Sequence, residues 1–398
     1  MRYPAYDRYK NTKYEWMNSI PFSWDIMNLS HAVRMKSGEN ITSLEILPAG
    51  AYPVYGGNGV RGFFDTYTHS GEYILIGRQG ALCGNINLVK GIFWASEHAV
   101  VVAPDRELNI DWLGYLLISM NLNQYSVSAA QPGLSVESIG RLKIPVPIID
   151  EQQKISDFLD FKTQQIDQII EKKKALIEKL NEQRIAVVTQ AVTKGLDKNA
   201  KMKSSDVDWL GDVPAHWELK KLKFMASIKN GRDYKHIENN EGYDVIGSGG
   251  PFAKASEYLF DGESVLFGRK GTIDTPLFVS KKFWTVDTMF YSVIEPDIIA
   301  KYLYYSATII PFKYLATQTA LPSMTQFDLE NHVLACPNKN EQEEIVTYIE
   351  KKLNRIDNMV RINKDAIDVY GEYRNSLVTA AVTGKIDVRD FSLNKGVA

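Results

Sequence analysis

Apolar residues recur at heptad spacing in two proline-free stretches, residues 151–193 and 341–383. In the first, Leu159, Ile166, Lys173, Leu180 and Val187 make one row and Ile155, Lys162, Ile169, Leu176 and Gln183 its neighbour. The second repeats both rows with Ile349, Ile356, Asn363, Tyr370 and Leu377, and with Ile345, Lys352, Met359, Ala366 and Tyr373. Such rows predict two long helices, each about 43 residues and roughly 65 Å, each able to supply the partner that the other's seam requires. An amphipathic helix folded onto its own neighbouring domain is the alternative. Asp150 and Asn340 are placed to cap the helices, with Gln153 and Glu343 as capping-box partners and Glu151 and Glu341 favourable in the first turn. Gly195 and Gly384 stop them, and the polar Lys173 and Asn363 would fix register at some cost in stability.

The two remaining stretches, roughly 15–146 and 208–336, have a different period. Short β-type runs such as EYILIG, FWASEHAVVVA, SVLFG and FWTVDTMFYSVI are separated by Gly, Pro and Asn turns and interrupted by the helical patches WLGYLLISMNL and IAKYLYYSA. This mixture predicts an α+β fold in which two similar domains, each built around a twisted sheet, alternate with two long helices.

The chain is written twice. Residues 52–80 align without a gap onto 243–271, sharing Tyr52/Tyr243, Val54/Val245, Gly56/Gly247, Gly59/Gly250, Gly71/Gly262, Glu72/Glu263 and the G-R-x-G of 77–80 and 268–271. IPFSW (20–24) matches VPAHW (213–217), PIIDEQQKI (147–155) matches PNKNEQEEI (337–345), and VTQAVTKGLD (188–197) matches VTAAVTGKID (378–387). Four segments follow: a first head domain over 1–150, a helical spacer over 151–204, a second head over 205–340, and a second spacer with tail over 341–398.

The repeat also disposes of a tempting motif. Gly57, Gly59 and Gly62 have the G-x-G-x-x-G spacing of a dinucleotide-binding turn, but that turn must open a helix, and FFDTYT follows here. The second copy carries Phe252 and Ala253 at the last two of the aligned positions Arg61 and Gly62. A glycine turn between two strands is the expectation.

Composition adds exclusions. The net charge of −2 does not mark a strongly basic nucleic-acid protein, although residues 151–204 hold 11 Lys and Arg against 8 Asp and Glu. Cys83 and Cys336, without a C-x-x-C, support neither a disulfide framework nor a thiolate zinc site. No run is long and apolar enough to span a membrane, and MRYPAYDRYK lacks a signal-peptide core, so a cytoplasmic protein is expected. P-loop and G-x-S-x-G signatures are missing from the sequence. Cys83 with His98 makes a poor nucleophile and base, because the second copy does not repeat the pair.

Binding chemistry is better represented. Arg78 and Arg269 sit between glycines just after an apolar strand, where a guanidinium forks onto phosphate or guanine, or instead braces the turn through an internal carboxylate. Trp94 and Trp284 read as core rather than stacking platforms. Loops 129–135 and 317–325 offer Gln131 and Ser135, and Gln318, Thr319 and Ser323. With Asn58, Arg61, Gln79 and His98 of the first head, and Ser248, Lys254, Lys270 and Thr288 of the second, these residues are the candidate DNA contacts. The pairs Asn58/Gly249, Arg61/Phe252, Gln79/Lys270, His98/Thr288 and Gln131/Leu321 differ in donors and acceptors, so the two heads would present different polar sets to a ligand.

Two unequal heads alternating with two similar helices, each helix opening at P-x-x-[DN]-E-Q (Pro147, Glu151, Gln152; Pro337, Glu341, Gln342) and closing at Val192, Thr193 and Gly195 or Val382, Thr383 and Gly384, resemble the DNA specificity subunit of type I restriction-modification systems. The resemblance spans Trp16 and Trp24 to Asp387 and departs from the family pattern at Ala335-Cys336, Gln190 and Lys194. It implies two target recognition domains set apart by an antiparallel coiled coil, with pseudo-twofold symmetry, reading an asymmetric bipartite site in double-stranded DNA. It further implies docking of two methyltransferase subunits, which carry S-adenosylmethionine, and two translocating restriction subunits, which use ATP and Mg, with no cofactor or catalytic site in this chain. A DNA-modifying enzyme with its own active site and a two-headed protein-binding adaptor are the rival readings.

Overall fold

A computed structural model of the chain describes residues 3–80, 82–126, 133–317 and 322–392. It divides into two compact units, one made of residues 1–173 with 365–398, the other of residues 174–364. The candidate residues Gln131, Gln318, Thr319 and Leu321 lie outside the described residues.

The first unit contains a six-stranded sheet in the order Val33–Ser37, Ala99–Pro104, His69–Gly77, Ile86–Ala95, Tyr52–Gly56, Gly59–Phe64. Neighbours are antiparallel except Tyr52–Gly56 against Ile86–Ala95, which runs parallel, Val54 facing Trp94. The helix Ile110–Ser119, capped by Asn109, buries Trp112, Leu113, Leu116 and Leu117 against Ile74, Ile76, Val100 and Val102 of the sheet. The same core takes in Ile155, Phe158, Leu159 and Ile166 of one long helix and Leu377, Val378, Ala381 and Val382 of the other.

The second unit repeats this plan with one break. Where the first has a single ten-residue strand, Ile86–Ala95, the second has Leu277–Val279 and Phe283–Thr285, interrupted at Ser280–Lys282. Its sheet therefore becomes two of four strands each: Ala226–Asn230, Met289–Ile294, Ser264–Gly268, Leu277–Val279, and Glu238–Asn239, Gly250–Ala255, Tyr243–Gly247, Phe283–Thr285. The helix Ala300–Ala307 stands where Ile110–Ser119 does, with Tyr302 and Leu303 buried.

Both long helices form, over Ile149–Lys194 and Lys339–Val382. They end at Gly195 (φ 73°) and Gly384 (φ 69°), left-handed positions that favour glycine. In each unit one helix segment runs antiparallel to the other, and one ion pair fixes the same register twice. Arg374 binds Asp167 in the first unit (3.0 Å), and Arg184 binds Asp357 in the second, each residue displaced by 190 positions from its counterpart. The row Leu159, Ile166, Leu180 is buried, as are Ile349, Ile356, Asn363 and Leu377.

The neighbouring row holds at its start, where Ile155 and Ile345 are buried, and departs from the expectation further along. Ile169, Leu176, Met359 and Tyr373 are exposed, and the seam instead uses positions one residue later: Thr163 and Ile170 in the first unit, Leu353 in the second, with Ala191 and Ala381 near the helix ends. Apolar doublets at Ile169-Ile170 and Leu176-Ile177 fit either row, and burial against the heads selects the second. The expected caps differ too. The helices begin at Ile149 and Lys339, so Asp150 and Asn340 lie inside them, and Asn338 caps the second by accepting from Glu341 N (3.1 Å). Gln153 is no capping-box partner: its amide accepts from Asn109 Nδ2 (2.8 Å) and donates to Asp157 Oδ1 (2.7 Å).

The E-Q pair of each helix start has another task. Gln152, buried, donates to Pro147 O (2.8 Å) and accepts from Asn109 N (2.9 Å); Gln342, equally buried, donates to Pro337 O (3.0 Å) and accepts from Ile299 N (2.8 Å). One side-chain amide thus ties the last strand of each head, its short helix and the first turn of the long helix. Glu151 accepts from Tyr6 Oη (2.6 Å), and Glu341 from Trp217 Nε1 (2.9 Å) and pairs with His216 Nε2 (3.0 Å). Among the described residues, no helix is long and apolar enough to cross a membrane.

Candidate nucleic-acid interface

In the first unit a glycine hairpin meets the end of the strand that carries G-R-x-G. Gly57 and Asn58 turn the hairpin of the first unit, where Gly56 faces Gly59. The glycines of the G-x-G-x-x-G spacing therefore lie in a strand–turn–strand, with Gly59 at φ 99°, and not at a helix start. The turn presses against the G-R-x-G backbone so closely that a Cβ on Gly77 would lie 2.5 Å from Gly57 O.

The backbone around each arginine is the same. Arg78 N donates to His98 O (2.9 Å) and Arg78 O accepts from Leu134 N (2.9 Å), while Gln79 bridges to Gly133. Arg269 N donates to Thr288 O (2.8 Å), Arg269 O accepts from Met324 N (3.0 Å), and Lys270 bridges to Ser323. Three separated segments are thus pinned together in each unit, and the equivalence of His98 with Thr288 read from the sequence is reproduced by their hydrogen bonds.

The side chains on this shared frame differ. Arg78 is half-buried and donates to Ser37 Oγ (3.2 Å), whereas Arg269 donates to Asp287 O (3.4 Å) and lies 5.9 Å from the centre of the Phe290 ring. Among the described residues neither guanidinium pairs with a carboxylate, so the brace that the sequence left open is not made. Asn58, Arg61, Gln79 and His98 line one cleft of about 420 Å³ in the first unit, together with Leu82. Asn58 Oδ1 accepts from Asn85 Nδ2 (2.9 Å), and His98 Nε2 pairs with Glu97 Oε1 (3.0 Å). Asn85 and Glu97 were not singled out from the sequence; their neighbours fix their importance, and neither belongs to a motif.

Two candidates are otherwise engaged. Ser135 is the N-cap of the helix Val136–Gly140, its Oγ accepting from Ser138 N (3.0 Å), a role Thr325 repeats for Asp328 N. Lys254 is ion-paired to Asp244 (2.6 Å), whose carboxyl is held below its usual range by Lys254 and Lys281. Ser248 is half-buried on the second hairpin turn, and Ser323 Oγ shares a hydrogen bond with Thr317 Oγ1 (3.0 Å). Trp284 is buried and donates to Arg232 O (2.9 Å), while Trp94 is partly exposed and donates to Glu39 O. The Cys83 thiol is buried beside Arg78 O (3.3 Å), and burial pushes its pKa up, the reverse of what a nucleophile needs.

Fold and site together define a duplicated α+β binding protein, in which two units present different polar sets on one backbone frame. A model of the type I restriction modification DNA specificity domain matches the chain twice, over residues 21–179 and 214–366, and the chain belongs to that family. The EcoprrI type I restriction enzyme specificity subunit of Escherichia coli is 46% identical over 136 residues, 33% of this chain and 34% of that protein. A putative specificity subunit of Haemophilus influenzae, S.HindORF215P, is 30% identical over 28% of this chain and 30% of its own length, so each of these two matches spans about a third of the relative. The MjaVIII specificity subunit of Methanocaldococcus jannaschii is 22% identical across 96% of this chain and 98% of its own. The fold is shared with a chain from a structure of complex assembly in a type I restriction-modification system (TM-score 0.72, 13% identity, 91% and 98% covered). It is shared also with the HsdS subunit from Thermoanaerobacter tengcongensis (TM-score 0.55, 14% identity, 94% and 100% covered).

Proposed function

We propose that this chain is the DNA specificity subunit of a type I restriction-modification complex, each unit reading one half of an asymmetric, split target in double-stranded DNA. The observation that carries the reading is the twice-built frame around Arg78 and Arg269, which repeats the backbone bonds of each arginine's own N and O and differs in its side chains. A guanidinium free of carboxylates can fork onto guanine O6 and N7 or onto phosphate, and Gln, Asn, His and Lys beside it supply further donors and acceptors. The long helices set the distance between half-sites and dock two methyltransferase subunits, which bring S-adenosylmethionine, and two restriction subunits, which bring ATP and Mg. This chain contributes recognition and no catalysis.

Methylome mapping of cells with and without the gene identifies the target, and methylation by the complex reconstituted with its methyltransferase subunits then tests the assignment. On duplexes altered in one half or the other, Arg78→Ala is expected to relax discrimination at one half-site and Arg269→Ala at the other, each by about tenfold or more. Equal loss at both halves, or turnover of DNA by the purified chain alone with Mg or S-adenosylmethionine, overturns the reading.

A further inference from the structure

We propose that Phe252 gives the second unit an apolar reading contact, directed at the C5 methyl group of a thymine in its half-site, where the first unit presents the Arg61 guanidinium. The inference rests on the DNA-reading function proposed above and adds a chemical identity to one contact.

The two residues hold the same unusual place. In the first hairpin Val54 faces Gly62 and Tyr55 faces Val60, which leaves Arg61 without a partner; in the second Val245 faces Ala253 and Ile246 faces Pro251, which leaves Phe252 without one. Each is the extra residue of a β-bulge, a device that re-aims a side chain out of the regular alternation. Both fold back over the glycine at the end of the preceding strand. A Cβ on Gly56 would run into the Arg61 side chain, and one on Gly247 would sit 3.2 Å from Phe252 Cε1.

Phe252 is not part of the core. Its side chain is among the exposed large apolar groups, 57% accessible, on the strand Gly250–Ala255. Tyr234 braces the ring edge-on, with centroids 5.4 Å apart at 89°, and the Lys235 ammonium lies 4.8 Å over the Tyr234 ring. Arg232 is tied in as well, its N donating to Thr285 O beside the end of the strand Tyr243–Gly247. An exposed aromatic edge braced by Tyr234, next to a segment that carries the basic residues Arg232 and Lys235, the latter paired with Glu238 (3.1 Å), is suited to a polyanion that offers an apolar group. On the base edges of the major groove, that group is the thymine methyl, whereas guanine offers the paired acceptors an arginine takes.

The experiment uses the reconstituted methyltransferase complex and duplexes bearing its mapped target, with each thymine of the half-site sensitive to Arg269→Ala replaced in turn by deoxyuridine. At one position the wild-type complex is expected to lose about fourfold in binding, the value of one buried methyl group. Phe252→Ala should bind the thymine and deoxyuridine duplexes equally, and Phe252→Leu should retain part of the preference. A half-site without thymine overturns the proposal. So does a wild-type complex indifferent to deoxyuridine at every position, or a Phe252→Ala complex that keeps the preference. If Arg78→Ala and Arg269→Ala show no half-site bias, the function proposed above fails first, and the result is distinct from these.

Discussion

Gly56 and Gly247 show how little separates framework from reading at the scale of single residues. Neither needs a left-handed backbone, and what each contributes is room for the bulged side chain lying over it. Gly56→Ala is therefore expected to leave thermal stability within a few degrees of the parent. Discrimination at the first half-site should nevertheless fall about as far as with Arg61→Ala, which a methylation assay on half-site variants would measure. His332 makes a different kind of prediction. It stacks on Trp209 (5.0 Å, 24°), is 9% exposed, and burial pushes its pKa down to about 4 from the usual 6.5. The depressed value means that the folded state favours the neutral ring, so its stabilisation is complete above pH 6.5 and is lost as the pH falls toward 4, by about 3 kcal/mol in all. The duplicated position is Leu142, which accepts from Leu29 N as His332 O accepts from Leu222 N. His332→Leu should abolish this acid sensitivity in urea unfolding followed by Trp209 fluorescence; a variant as acid-sensitive as the parent would place the titration elsewhere. At this scale, the gapless alignment made the exchange of Arg61 for Phe252 legible, but not the bulge that aims both. Ser135 shows the limit of residue type as a guide, because a hydroxyl suited to a base edge is equally suited to the helix N-cap it forms here.

The long helices were the most legible elements, since a proline-free heptad pattern over more than forty residues admits few other structures. What the pattern could not decide was which of two adjacent rows faces inward, because Ile169-Ile170 and Leu176-Ile177 satisfy both. The Arg374–Asp167 pair and its duplicate are too exposed to stabilise much and serve to mark register. Greater cost attaches to the buried amides at the helix starts. Gln342→Leu strands Ile299 N and Pro337 O without their partner, and is expected to destabilise the second unit by about 2–3 kcal/mol in denaturant unfolding. Gln342→Glu, which keeps the acceptor and loses the donor, should also destabilise it, and an unchanged midpoint for either variant would show that the amide is dispensable. The sequence placed these glutamines in a motif without disclosing their purpose, because their partners lie about forty residues away at Asn109 and Ile299.

For the molecule as a whole, duplication was the strongest signal, and it fixed the order of heads and helices before any contact was known. The interruption at Ser280–Lys282 was not readable, since a short polar stretch inside a β-type run is tolerated in one copy and splits the sheet in the other. Nor did the sequence disclose how unevenly the chain is shared out. Residues 174–364 form the second unit as one uninterrupted length, whereas the first is completed only by residues from beyond 364, among them Asp387, whose N donates to Pro4 O (2.8 Å). On a ribosome the order of completion is therefore the reverse of the order of translation. The later-made unit is expected to finish folding from contiguous chain, and the earlier-made one to wait until residues beyond 364, which pack on Phe158 and Leu159, have emerged. A stop codon placed after Lys364 should accordingly leave amide protection intact across 205–340 and abolish it across 33–104. The nascent protein would depend most on chaperones at the half it made first.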